Sequence, residues 1–146
     1  MKNQFRTISC TENHKWLCVK ENGYEWVETK DLNKNDILFI DSSHIIRPNG
    51  DILKIYLEII PELRSGVIIH IHDIFTPKNY LKSWLLEDVR LWNEQYILEA
   101  LLTNNNKIEI IAALNFLKHN YYNNLKKCCP YLSSDKEPAS IYLKII

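Results

Sequence analysis

The chain has 146 residues, of which 46% are apolar and 25% charged, the make-up of one folded domain rather than of a disordered chain. Its 18 basic and 18 acidic residues cancel, so no long-range field gathers nucleic acid or an anionic membrane surface, and neither is expected as a partner. The opening residues, Met1 to Arg6, lack an apolar stretch of signal-peptide length. No run approaches the roughly 18 apolar residues of a membrane span, so a cytoplasmic location is expected.

In chain order, Trp16 to Lys20 and Tyr24 to Glu28 flank Asn22-Gly23, a pair that supplies the positive φ angles of a tight turn, and residues 15–28 read as a β-hairpin. After a polar stretch from Thr29 to Asn35, Asp36 to Asp41 is a short apolar run closed by a carboxylate, the pattern of a strand buried on both faces in a parallel sheet. Asp51 can cap a helix through Leu63, with Ile52, Ile55 or Tyr56, Ile59 and Leu63 on its apolar stripe and Gly66 as its left-handed stop. Val67 to His72 is a second buried strand, ending at Asp73. A loop with Pro77 and Tyr80 leads to a helix from about Leu85 to Leu102, striped by Val89, Trp92, Tyr96 and Ala100 and broken by Asn104-Asn105-Asn106. Lys107 to Ala112 is a third strand, Phe116 to Leu125 a short helix, and Ser140 to Ile145 a terminal strand. This alternation is the second half of a doubly wound α/β sheet. The four cysteines, Cys10, Cys18, Cys128 and Cys129, form no Cys-x-x-Cys pair and read as free thiols.

In open α/β sheets ligands sit beyond the carboxyl ends of the strands, so polar residues there are the first to inspect. Two strand ends qualify: Asp41-Ser42-Ser43-His44 and His70-Ile71-His72-Asp73. On neighbouring strands, Asp41, His72 and Asp73 would share one rim and offer an oxygen and nitrogen set suited to Mg²⁺, Mn²⁺ or Fe²⁺. Such an ion lowers the pKa of a substrate hydroxyl. Two other readings stand beside this one: His70 and His72 as hydrogen-bonded strand residues, and Asp41 as the cap of its own loop.

Those segments, together with Ile74-Phe75, Pro77, Tyr80, Trp92-Asn93-Glu94-Gln95-Tyr96 and Ser140-Ile141-Tyr142-Leu143, resemble a bacterial family of class I, S-adenosylmethionine-dependent methyltransferases. That family is related to sugar and macrolide O-methyltransferases and to the cephalosporin-hydroxylase-like group. The resemblance spans residues 36–146 and implies the C-terminal half of a Rossmann-like methyltransferase sheet. It implies Mg²⁺ at Asp41, His72 and Asp73, with Asp41 also toward the cofactor and His44 as a nearby base. The position of His72 often carries a carboxylate or amide in relatives. The family binds its methyl donor at a glycine-rich turn after the first strand, and Gly23, Gly50 and Gly66 form no such turn. The donor half is therefore expected to be missing and the isolated chain inactive.

Residues 1–35 read as a separate hairpin segment. Cys10-Thr11-Glu12-Asn13-His14, Trp26-Val27 and Leu32 with Asn35-Asp36 are similar to the Thr-x-x-His block of the Hint domain of inteins and hedgehog-type proteins, which implies assistance of an amide-to-thioester shift by Thr11 and His14. The sequence thus carries three expectations: O-methyl transfer from S-adenosylmethionine to a sugar or small-metabolite hydroxyl, a non-catalytic cation-binding or self-associating remnant, and a Hint-type self-processing fragment.

Overall fold

The computed structural model describes residues 15–20, 23–28, 31–32 and 34–146. Strands β1 (Lys15–Lys20) and β2 (Gly23–Glu28) form the expected antiparallel hairpin, registered from Lys15 opposite Glu28 to Lys20 opposite Gly23. Residues 21 and 22 of its turn lie outside the described residues. Val27 of β2 and Leu32 are buried in the same apolar cluster as the rest of the core.

The main sheet has four strands, β3 (Ile37–Ile40), β4 (Ile68–His72), β5 (Ile108–Ala113) and β6 (Ser140–Ile145), in the order β3-β4-β6-β5. β3 and β4 are parallel, with Ile37 opposite Ile68 and Ile40 opposite Ile71, whereas β6 runs antiparallel to both β4 and β5. The fold is α/β with a mixed sheet. Leu38, Ile40, Ile69, Ile71, Ile141 and Leu143 turn to one face and pack against Ile52, Tyr56, Ile59 and Leu98 of the helices. Burying each such aliphatic side chain is worth about 1.5–3 kcal/mol, so this face fixes the register. Neither β3 nor β4 is buried on both faces as expected: along β3 burial alternates, and Phe39 is 49% exposed. Ile37 and Phe39 lie on the face of β3 turned away from the core helices, and among the described residues no second layer buries them.

The helix expected over residues 51–63 changes character along its length. It begins α-helical in α1 (Asp51–Lys54), widens to a π-helix over Ile55–Ile59 and tightens to a 3₁₀ turn over Ile60–Glu62. Pro61 has no N–H to continue the ladder, and Leu63 N closes the last turn onto Ile60 O at 3.3 Å. Gly50 is the N-cap residue, and Asp51, one position inside, accepts hydrogen bonds from Ser43 N and Oγ instead. Gly66 has the expected positive φ of 91° but lies beyond the helix end, in the turn into β4, where its N–H donates to Ile145 O.

The expected long helix over residues 85–102 is two helices, α2 (Lys82–Leu86) and α3 (Glu94–Leu102), separated by an irregular stretch. Val89 takes φ +53°, a left-handed value that no helix interior tolerates. The expected stripe is also not the buried face, because α3 buries Glu94, Gln95 and Leu98 while Tyr96 is exposed. Past β5, the single expected helix is likewise split at Tyr121 into α4 (Leu114–Asn120) and α5 (Tyr122–Cys128). Among the described residues no helix is long and apolar enough to cross a membrane.

Candidate functional site

The parallel register brings both acidic strand ends to one edge of the sheet. Ile40 lies opposite Ile71, so Asp41 leaves β3 at the level where His72 and Asp73 leave β4. One ligand atom from each of Asp41, His72 and Asp73 lies within 4.8 Å of the others. Asp73 is fixed by its own backbone, with φ +58° and its N–H donating to Ala139 O at 2.6 Å. His72 Nδ1 is 3.0 Å from Asp73 Oδ1, yet without hydrogen-bond geometry, and is a buried atom with no hydrogen-bond partner. The ring itself is 45% exposed and the Asp73 carboxylate is its nearest charge, so Nδ1 is left available to a cation held between these three side chains. His70 takes the alternative reading of a strand residue, since its Nε2 meets Ser140 Oγ at 3.1 Å and its ring stacks on Tyr142.

Behind the rim sits a second layer. His44 is 5% exposed and bends the chain with φ +58°. Its carbonyl accepts the N–H groups of Asn93 and Glu94, so the start of α3 is hung from the same residue. Asn93 Oδ1 in turn accepts Ile46 N at 2.6 Å. The imidazole Nδ1 donates to Glu94 Oε2 at 2.7 Å, while Nε2 faces Asp41 Oδ1 at 3.4 Å and Asp73 Oδ2 at 3.5 Å. Because a carboxylate only accepts, Glu94 fixes the proton on Nδ1 and leaves Nε2 pointing at the rim.

Glu94 is fully buried, and three donors converge on it: Ser42 Oγ at 2.7 Å, His44 Nδ1, and Tyr56 OH at 3.0 Å onto Oε1. That set supplies the partners a buried carboxylate requires. Burial works to lower the His44 pKa, but the hydrogen bond to Glu94 and the charges of Glu94, Asp73 and Asp41 outweigh it and hold the imidazole above its ordinary 6.5. Burial first, then the nearby charge and hydrogen bond of Glu94, push the Tyr56 phenol far above its usual range. Tyr80, raised to about 12 mainly by burial, accepts Gln95 N and stays a neutral prop. Gln95 also accepts Phe75 N and donates to Lys78 O, tying the loop after β4 to α3.

Of the residues expected from sequence, Asp41, His72, Asp73 and His44 are all brought to this one rim. Thr11 and His14 lie outside the described residues. Glu94, Tyr56 and Ser42 stand in segments singled out from the sequence but were given no role at the site. Charged residues on both sides, Glu87, Asp88, Arg90 and Glu99, gave Glu94 no local mark of its own. Comparison of the chain with models of known protein families, with characterised proteins and with solved structures finds no match.

Proposed function

We propose that Asp41, His72 and Asp73 hold a divalent cation and that this rim, with His44 as base, activates a hydroxyl of a small molecule, the reaction class being methyl transfer as the resemblance of residues 36–146 implies. The observation that carries the reading is the convergence of the three ligand side chains on one sheet edge, faced by an imidazole whose other nitrogen is locked to a buried carboxylate. When bound, the cation would lower the pKa of a coordinated hydroxyl. With the charges of Asp41 and Asp73 offset, His44 Nε2 is free to take the hydroxyl proton, and Glu94 keeps Nδ1–H in place and stabilises the imidazolium that results. Methyl transfer is an in-line displacement, and S-adenosylmethionine would have to be held by a glycine-rich turn that none of Gly23, Gly50 and Gly66 provides. The chain alone is therefore expected to bind the cation and not the donor.

Calorimetric titration tests this. Mn²⁺ should bind the chain with one site, Asp73→Asn should weaken it by at least about tenfold, and S-adenosylmethionine should give no heat at micromolar concentration. Absence of Mn²⁺ binding up to millimolar concentration would sink the proposal. Edge strand β3, which exposes Phe39, supports a second reading in which copies of the chain associate along that edge. Light scattering over a concentration series separates the two, because a monomer throughout removes the second reading and leaves the first.

A further inference from the structure

Beside the rim stands an aromatic wall that the reading above does not use. Trp92 packs against the His44 ring with centroids 4.3 Å apart, and Trp84 meets Trp92 edge-on at 5.2 Å. The Arg90 guanidinium lies over both indoles, 4.5 Å from the Trp84 centroid and 5.1 Å from that of Trp92. A single indole thus separates a cationic side chain from the imidazole that faces Asp41 and Asp73. Arg90 is not placed there by a relaxed backbone. Val89 adopts φ +53°, where a β-branched residue is strained, and Arg90 N donates to Trp84 O at 2.8 Å to close the turn. Six non-glycine residues have positive φ among the described residues, three of them asparagines. The other three are His44, Asp73 and Val89. Two of those build the rim and the third delivers Arg90 beside it.

Stacking on an aromatic face engages the plane of a guanidinium and leaves its edge N–H groups to meet a planar anion in bidentate fashion. Asp88 Oδ2 takes Nε at 3.1 Å, which fixes the fork further. The Arg90 side chain is 39% exposed, so the fork is open to solvent. Resting on the cation-assisted reading of the rim, we infer that Arg90, held by Trp84 and Trp92, is the specificity residue for the acceptor, and that the acceptor is a small hydroxylated anion. Its carboxylate or phosphate meets the guanidinium while its hydroxyl reaches the rim. Net negative charge at the rim gives such a ligand reason to need both a cation and an arginine.

The experiment follows the tryptophan fluorescence of the whole chain, with and without saturating Mn²⁺, during titration with glycerate, glycerol 3-phosphate and glycerol. Glycerate and the phosphate should each quench to saturation while glycerol does not, and the tighter of the two anions identifies the acidic group. Arg90→Gln should weaken the preferred anion by about tenfold or more with Mn²⁺ affinity unchanged, and Arg90→Lys should restore only part of the loss. Equal quenching by glycerol, or unaltered anion binding in Arg90→Gln, would overturn the inference. Should Mn²⁺ fail to bind at all, the cation reading falls by itself. Quenching by anions that still disappears in Arg90→Gln would then support the Arg90 site alone.

Discussion

Two carboxylates in this protein each gather three hydrogen-bond donors, one of them a histidine, and they end in different places. Glu94 collects Ser42, His44 and Tyr56 at the centre of the molecule, and Glu137 collects Asn115, Lys118 and His119 on the flank of α4. Around Glu137 the charge closes on itself, because Lys118 at 2.7 Å balances it, and what is left over is the neutral Asn115 Oδ1, buried without a hydrogen-bond partner. Around Glu94 the set stays open, because His44 turns its second nitrogen toward two more carboxylates. A closed network of this kind fastens one segment to another. An open one, buried, turns the second nitrogen of its imidazole to acidic side chains outside the network, so its charge balance depends on what happens at the rim.

Breaking the buried network should therefore cost the most. Glu94→Ala leaves the Ser42, His44 and Tyr56 donors facing a cavity. The expected loss is about 3–5 kcal/mol in urea denaturation, the range for removing one partner of a buried charged cluster. Tyr56→Phe removes one donor from the same carboxylate and should cost only about 1 kcal/mol. If Glu94→Ala were no worse than Tyr56→Phe, the claim that Glu94 organises the rim would fail.

Backbone strain sharpens the contrast between residues that serve the fold and residues that serve the site. At Gly66, with φ +91°, an added Cβ would stand 2.6 Å from Lys34 Cγ and 3.1 Å from Lys34 Cα. Gly66→Ala is thus expected to destabilise by about 1–3 kcal/mol without altering Mn²⁺ affinity. Val89→Gly should act in the opposite sense. Relief of the left-handed valine is worth about 1 kcal/mol of stability, while the slackened turn weakens anion quenching through Arg90. Thermal unfolding of both variants checks the pair, and a Val89→Gly protein that is less stable than the parent would remove the strain argument.

The sequence announced one half of the rim and concealed the other. Asp41 and Asp73 were legible because each closes a strand-like run, Ile37 to Ile40 wholly apolar and Val67 to His72 apolar but for its two histidines, and polar residues at such strand ends are where an open sheet meets its ligands. Glu94 was hidden because its role depends on His44, 50 positions away, and nothing local distinguishes it from a solvated helix residue. The same remoteness explains the helix drawn through Val89 and Trp92. Both fit a helical stripe by spacing, but the contacts of Trp92 with His44 and of Arg90 with two indoles outweigh that local preference. The alternating burial of β3 was missed for another reason: Ile37 and Phe39 are apolar on the face turned away from the core helices, so the composition of the run says nothing of which side is covered.

The smallest expected effect belongs to the closed network, and its pH dependence is specific. Burial alone would resist ionisation of Glu137, but hydrogen bonds from Lys118, His119 and Asn115 prevail and hold its carboxyl at about 2, against an ordinary 4.5. A depressed carboxyl stabilises the fold above its ordinary pKa and loses that contribution as the pH falls from about 4.5 toward 2. Because Glu137 remains partly solvated, the contribution is about 1 kcal/mol or less. Glu137→Gln should accordingly be slightly less stable than the parent at pH 7 and converge with it in chemical denaturation as the pH approaches 2. Since Glu137 joins the stretch before β6 to α4 and touches nothing at the rim, Mn²⁺ and anion binding at pH 7 should be unaltered in this variant. A shift in either would mean that the two carboxylate networks are coupled, and the distinction between an open and a closed one would no longer separate site from scaffold.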